Sequence, residues 1–402
     1  MEFKQLALAA CLLFCAAANA LEPQRNTGDF MESWDHTILE LLTRTPGVLL
    51  ANTCQCTDCS LAPTHASVTE TRGEHPSPPD LWVRIREHLA LSKIDHPRVS
   101  LVLRQYRQFP YTMELNGARA VPILHYVLQQ VRARGMPADI ALLPMLESGF
   151  RTTALSHAKA KGLWQLMPTT ASRFGLEDNW WLDARLDIES STRAALDYLA
   201  YLHKRFEGDW LLALAAYNAG EGRVSRAMRS NREAGLPTDF WHLSLPAETR
   251  SYVPHLLAIS RIASDPKRFG VDFKPIADKP YLQSVGLKHH IDLETVADLA
   301  GLDLGELRML NPALKRDATH PDGPHRLLLP SEAVEKFRFA LTTHSATLAT
   351  RQRKSEYTVR SGDNLWVIAK HFGVSFKHLA GWNDLELDSV LRPGRKLIVW
   401  RT

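Results

Sequence analysis

The chain has 402 residues, of which 45% are apolar, 23% charged and 8% aromatic; this length suggests two or three domains and this composition excludes wholesale disorder. No apolar run reaches the roughly 18 residues of a membrane-spanning helix, so an integral membrane protein is not expected. The formal charge is +4, and it is uneven: residues 351–402 carry ten Lys+Arg against five Asp+Glu, the first 350 carry 38 against 39. That surplus is too mild to indicate nucleic acid.

At the start, Met1 to Lys4 precede an apolar run, Leu6 to Ala18, and the small-x-small triplet Ala18-Asn19-Ala20. This is the pattern of a secretory signal over 1–20, too short to cross a bilayer. Leu8-Ala9-Ala10-Cys11 has the look of a lipoprotein site, yet apolar residues continue through Cys15. Plain cleavage after Ala20 is therefore favoured, with lipidation at Cys11 as the minority alternative. Cleavage leaves Cys54, Cys56 and Cys59, three thiols that cannot all pair within one chain. A fourth metal ligand at suitable spacing is missing, so one bridge and a spare thiol are expected in an oxidising compartment. Residues 21–80 read as a low-structure segment, Pro-rich toward Pro76, Pro78 and Pro79.

From Leu81 apolar residues recur at helical spacing. Pro122 to Arg134 places Leu124, Val127 and Val131 on one face and stops at Gly135. Ser191 is expected to cap a helix whose inner face carries Ala195, Tyr198, Leu199 and Leu202. Asp209 caps Trp210 to Tyr217, which ends near Gly220, and Thr249 opens a run toward Ala263. An all-helical domain over 81–270 follows. The pattern weakens over 271–335, with one helical unit, Thr295 to Leu310, and a short strand at Leu327-Leu328-Leu329. Residues 336–354 read as a second linker. The last segment, 355–400, runs strand, helix, helix, strand: Tyr357 to Val359, Leu365 to Phe372, Phe376 to Trp382 and Lys396 to Trp400. The fold class is thus multidomain, a mainly α domain followed by a small α+β (βααβ) module.

Chemistry concentrates in the helical domain. In Ala141-Leu142-Leu143-Pro144-Met145-Leu146-Glu147-Ser148-Gly149-Phe150 an ionisable Glu ends an apolar run. Desolvation disfavours its carboxylate, and a two-unit shift would correspond to roughly 2.7 kcal/mol. A neutral carboxylic acid is what a glycosidase general acid requires. Gly162-Leu163-Trp164-Gln165-Leu166-Met167-Pro168 offers close backbone approach, an apolar wall and an amide able to bond an acetamido group. Ala215-Ala216-Tyr217-Asn218-Ala219-Gly220 and Glu248-Thr249-Arg250-Ser251-Tyr252 add two phenols and another amide. A lone carboxylate among aromatics and amides suits sugar recognition.

Glu147-Ser148, Gly162-Leu163-Trp164-Gln165, Ala216-Tyr217-Asn218-Ala219-Gly220 and Glu248-Thr249 with Tyr252 stand in the order and rough spacing of the lytic transglycosylases, which the stretch from about Leu81 to Ser264 resembles, the D-type members most. The resemblance implies a goose-type lysozyme fold and Glu147 as the single catalytic acid/base. It places Tyr217 and Tyr252 around Glu147, Gln165 and Asn218 on N-acetyl sugars, and Ser148, Gly162, Leu163 and Met167 in the binding site. A hydrolase normally pairs two carboxylates about 5–9.5 Å apart; the second acid within these motifs, Glu248, fits helix capping equally well. Asp183 and Asp187 read as turn or capping residues. One carboxylate suffices if the muramoyl 6-hydroxyl is the nucleophile and closes a 1,6-anhydro ring.

The C-terminal segment, Tyr357-Thr358-Val359-Arg360-Ser361-Gly362-Asp363-Asn364-Leu365-Trp366 onward, resembles a LysM module. That family binds N-acetylglucosamine-containing glycans between its first strand–helix turn and the turn after its second helix, which implies Gly362, Asp363, Asn364 and Asn383. Leu293 to Pro330 resembles a degenerate second copy. The expected protein is an exported monomer of the bacterial periplasm or cell envelope, with peptidoglycan glycan strands as its partner and no nucleic acid. Envelope-membrane association would follow only from lipidation. Neither an H-E-x-x-H-type metal motif nor a phosphate-cradling loop appears, so no metal and no cofactor are expected, and His289-His290 read as surface residues. The rival readings are a muramidase using water and a non-catalytic peptidoglycan-binding protein; Glu147, Gln165, Tyr217 and Tyr252 together argue against the latter.

Overall fold

The computed structural model describes residues 79–401 apart from 180, 289, 321–324, 349–352 and 373. The signal segment, the three cysteines and almost all of the first linker lie outside the described residues. Asp80 opens the helical chain: its carboxylate accepts from the amides of Trp82 (3.2 Å) and Ile276 (3.0 Å), capping α1 (Leu81–Glu87) and tying it to the end of the domain. Then follow α2 (Pro97–Gln108), α3 (Pro110–Ala120), α4 (Leu124–Ala133), a 3₁₀ turn at Ala138–Leu142 and the short α5 (Leu143–Glu147). Proline stands in the first turn of α2, α3 and α5, where its missing N–H breaks no bond. The domain continues through α6 (Pro168–Arg173), α7 (Ile188–Arg205), α8 (Trp210–Ala219), α9 (Glu221–Glu233) and α10 (Ala247–Ser264).

Two helices form the centre. Leu212 to Ala216 of α8 are all buried, and so is the unbroken stretch Tyr252 to Ser260 of α10. A helix apolar all round must be enclosed: α8 packs on α7, α9 and α10, and α10 also on α2. Asp209 caps α8 by accepting from the amides of Leu211 (2.7 Å) and Leu212 (3.0 Å), and Gly220 ends it at φ +86°. Helix α7 starts a turn earlier than expected. Its cap is Asp187, which accepts from the Ser190 amide (2.7 Å), whereas Ser191 is buried inside the helix and donates to the Asp187 carbonyl (2.6 Å).

His255 lies in this centre, 8% exposed, 3.1 Å from the Tyr106 hydroxyl. Burial lowers its pKa from 6.5 to about 4. The unfolded chain therefore takes up this proton first. The stability that the neutral ring contributes is complete above pH 6.5 and lost as pH falls through 4, about 3 kcal/mol in all. His255→Gln should lose less melting temperature than the parent between pH 6.5 and 4 by scanning calorimetry; parallel pH profiles would exclude His255 as the source.

Beyond α10, β1 (Leu282–Gly286) pairs antiparallel with β2 (Arg326–Pro330), Leu282 opposite Pro330. Between them the single helical unit expected over 295–310 is two helices, α11 (Leu293–Ala300) and α12 (Leu304–Leu310), separated because Gly301 turns the chain at φ +70°. The expected second linker is also revised. Helix α13 (Ser331–Leu348) covers most of it, and Phe337 is fully buried with Val285, Val296, Leu307 and Leu329 in a separate core. The last module has the expected order: β3 (Arg353–Thr358), α14 (Leu365–Phe372), α15 (Phe376–Gly381) and β4 (Lys396–Arg401), β3 antiparallel to β4, over a third core of Val359, Leu365, Ile368, Leu379, Leu397 and Val399. No helix among the described residues is long and apolar enough to cross a membrane.

Candidate active site

Glu147 is the last residue of α5. The amides of Ser148 (3.0 Å) and Phe150 (3.1 Å) both donate to the Pro144 carbonyl, and Gly149 and Phe150 both take φ +59°. A bulky residue at positive φ is costly; here burial of the Phe150 ring in the main core holds it. The tight turn stops α5 directly after the carboxylate. Ser148, expected among the substrate contacts, lies beneath the surface: it is buried, and its hydroxyl is directed to the carbonyls of Pro144 (3.2 Å) and Leu163 (2.9 Å). It thereby ties the Glu147 turn to the Gly162–Gln165 turn.

Two phenols approach from the central helices. Tyr252 of α10, fully buried, donates its hydroxyl to Glu147 Oε1. Tyr217 of α8 donates to the Trp164 carbonyl (2.8 Å). Burial first, and the charge of Glu147 second, push both phenols well above the ordinary 10. Both therefore stay protonated and act as donors throughout the working range.

The Gly162–Gln165 turn is built inward. Gly162 sits at φ +78°, buried, and a Cβ there would lie 2.2 Å from the Arg185 carbonyl oxygen, so only glycine fits. Leu163 and Trp164 are buried, and Trp164 Nε1 donates to Thr192 Oγ1 (2.9 Å). Gln165, at φ +47°, donates through Nε2 to the carbonyls of Gly162 (2.8 Å) and Ala154 (3.2 Å). Met167 is half-buried at the start of α6. Gly162 and Leu163 are thus supports beneath the site and not its surface.

Several links were not foreseen. Asn218 at the end of α8 donates through Nδ2 to Glu248 Oε1 (3.2 Å) and accepts from Thr249 Oγ1 (2.7 Å). Glu248 and Thr249 stand one helical turn before Tyr252, and that spacing was the available signal. Farther out, Tyr198 donates to Glu221 Oε2 (2.9 Å), Arg173 pairs with Glu221 Oε1 (2.8 Å), and the rings of Tyr198 and Tyr217 lie 5.6 Å apart. Asp183 is no simple turn residue. It is fully buried and accepts from Lys161 Nζ (2.6 Å) and from Arg185 Nε (3.0 Å) and its terminal nitrogen (2.9 Å), cations that hold its carboxyl below the usual range although burial opposes this. A cavity of about 550 Å³ lies beside α6 among Ala171, Ser172, Leu176, Asp178 and Arg185; neither Glu147 nor the two phenols line it.

In the last module Gly362 and Asn364 are exposed, and Asn364 caps α14 by accepting from the Val367 amide (2.9 Å). Asp363 is braced inside the turn, accepting from Tyr357 OH (2.8 Å) and the Arg360 amide (2.7 Å). Asn383 corrects the expectation of a glycan contact. Its amide donates to the carbonyls of Leu379 (2.8 Å) and Ile398 (2.9 Å) and accepts from the Ile398 amide (2.7 Å), which fastens α15 to β4. His290 is likewise no plain surface residue: it is half-buried, edge-on to Trp181 (5.7 Å) and beside Trp400 (5.7 Å).

Comparison with known proteins gives three family matches in chain order: the Transglycosylase SLT domain over 128–238, the LysM-like domain of lytic transglycosylase MltD over 281–346 and the LysM domain over 357–400. Membrane-bound lytic murein transglycosylase D of Escherichia coli K12 is 38% identical over 328 residues, 80% of this chain and 72% of its own. The soluble lytic murein transglycosylase of Salmonella typhimurium LT2 is 34% identical over 117 residues, 28% of this chain and 18% of its own. Among solved structures, the 70 kDa soluble lytic transglycosylase Slt70 of Escherichia coli aligns over 44% of this chain and 31% of its own, at 20% identity and a TM-score of 0.31. With 38% identity to the first relative over 80% of this chain and 72% of the relative, the chain belongs to the lytic murein transglycosylase D family: it is a peptidoglycan lytic transglycosylase, a lysozyme-like helical domain followed by two LysM-type modules.

Proposed function

We propose that the enzyme cleaves the β-1,4 bond between MurNAc and GlcNAc and leaves 1,6-anhydroMurNAc ends, with Glu147 acting first as acid and then as base. The observation that supports this is the pairing of Glu147 with a phenol that stays protonated: Tyr252 donates to Oε1, which directs the carboxyl proton to Oε2. That proton passes to the glycosidic oxygen as its bond to C1 breaks. The resulting carboxylate then takes the proton of the muramoyl 6-hydroxyl as that oxygen bonds to C1, which returns Glu147 to its starting form without water. General acid–base help of this kind supplies about 10²–10⁴-fold; the rest falls to orientation. Gln165 and Asn218, their amides locked by backbone and by Glu248, line the sugar path. Ser148, Gly162 and Leu163 act from beneath, and Met167 borders the cleft. The C-terminal module holds glycan on the face formed by residues 360–364 and the turn after α15, with Asp363 and Asn383 shaping it from behind. The working place is the cell envelope, reached by export.

A muramidase is the second reading, because Glu248 stands one helical turn before Tyr252, whose hydroxyl reaches Glu147, and offers a second carboxylate on the same helix. Products decide. Isolated sacculi treated with the purified enzyme should release 1,6-anhydromuropeptides by mass spectrometry; reducing MurNAc ends would assign the reaction to water.

A further inference from the structure

The two C-terminal modules are built alike, yet the same face has different fates in them. Asn311 repeats the bridge of Asn383: its amide donates to the carbonyls of Leu307 (3.0 Å) and Leu328 (2.9 Å) and accepts from the Leu328 amide (2.8 Å). Asp292 caps α11, accepting from the Thr295 amide (2.8 Å), as Asn364 caps α14. The turns after the first strand and after the second helix therefore correspond. In the last module they are open: Arg360, Ser361, Gly362, Asn364, Glu386 and Val390 are exposed.

In the middle module the catalytic domain packs against them, leaving Lys288, Lys315 and Asp317 exposed at the rim. The Asp183 amide donates to the Ala313 carbonyl (2.9 Å), the Lys315 amide donates to the Trp181 carbonyl (2.9 Å), and Leu182 and Leu314 form a β-bridge. The Trp181 ring packs against His290 and, at 6.0 Å, His320. Charge closes the rim: Lys315 pairs with Asp178, and Arg326 pairs with Asp187 and Glu189 and donates to Ser190 Oγ (3.1 Å). The space left in this seam is about 50 Å³, room for a few waters and not for a sugar. From the seam the contacts lead inward. Asp183 holds Lys161 and Arg185, and the Arg185 carbonyl abuts Gly162.

We infer that the middle module has the chain's own Trp181–Asp183 segment as its ligand in place of glycan. It is a buttress that positions the Gly162–Gln165 turn, and glycan retention belongs to the last module. The inference rests on the reading of this face as the glycan-binding face.

Hydrogen exchange on the full chain carrying Glu147→Gln, titrated with chitotetraose, tests the first half. Protection should appear at 360–364 and 384–390 and be absent from 288–292 and 312–320. Protection in the middle module overturns the inference; protection in neither module overturns the underlying reading of the face, and the inference with it. Arg326→Glu in the otherwise native chain tests the second half. Exchange should rise at 178–187 and at 160–166, and turnover of soluble glycan strands should fall about tenfold through kcat, with sacculus binding unchanged. Arg326→Lys should restore most of both. Unaltered exchange at 160–166 in Arg326→Glu would show that the seam does not support the turn.

Discussion

Glu147→Gln is expected to reduce release of muropeptides from sacculi by at least about 10²–10⁴-fold, while the protein still sediments with sacculi. The amide keeps the shape of the side chain and can accept from the Tyr252 hydroxyl, so the buried phenol keeps a partner and the fold should be undisturbed. It can neither give a proton to the glycosidic oxygen nor take one from the 6-hydroxyl, so both halves of the reaction fail together. Sacculus binding persists because the last module has its own core, Val359 to Val399, apart from the α10 and α5 packing that carries Glu147. Glu147→Asp makes a sharper comparison. The acid is retained but drawn back by one methylene from Tyr252, and a misplacement of about 1 Å can cost 10²-fold. Turnover by Glu147→Gln within a few-fold of the parent would remove Glu147 from the mechanism.

How far this site was legible follows from where the partners of each residue lie. Residue types that do chemistry stood out locally: a carboxylate ending an apolar run, phenols at helix ends, an amide in a glycine turn. Their orientation did not, because it depends on distant atoms. Ser148 turns inward to a carbonyl 15 residues on, and Glu147 meets a phenol 105 residues on. Asn383 illustrates the same limit. An exposed-looking amide in a turn suits sugar and backbone equally, and the bridge to Ile398 decides. Elements follow this rule too. Asp209 and Gly220 bound α8 by local chemistry alone, and the structure agrees. Asp187 and Ser191 are both competent caps; burial of Ile188 inside the domain selects the earlier one. Strand β1 has a single buried side chain, Val285, and gains its identity from pairing with β2. Helix α13 hides in a composition rich in Thr and Ser because, among its described residues, few side chains reach a core: Ala333, Val334 and Phe337, with Leu341 packed against them.

Gly162→Ala should be the most damaging single-methyl change in the catalytic domain, and the reason separates two effects that glycines usually combine. Positive φ alone costs an L-residue about 1–2 kcal/mol. Gly135 isolates that cost: it sits at φ +65° with nothing within 4 Å of its would-be Cβ. At Gly162 the same strain is joined by a Cβ 2.2 Å from the Arg185 carbonyl oxygen. That oxygen cannot yield easily, because the Arg185 side chain is fastened by Asp183, by Asp178 and by the Lys159 carbonyl. Relief must come from the Gly162 turn, which carries Gln165 and the Trp164 carbonyl held by Tyr217. Gly162→Ala is therefore expected to cost roughly 3–5 kcal/mol, a fall of roughly 10 °C in melting temperature for a domain of this size. Gly135→Ala should lose only a few degrees and keep its turnover, whereas the Gly162 variant should be impaired even well below its melting temperature. Equal melting temperatures for the two variants would mean that the Arg185 contact yields freely and that the turn is not clamped from behind.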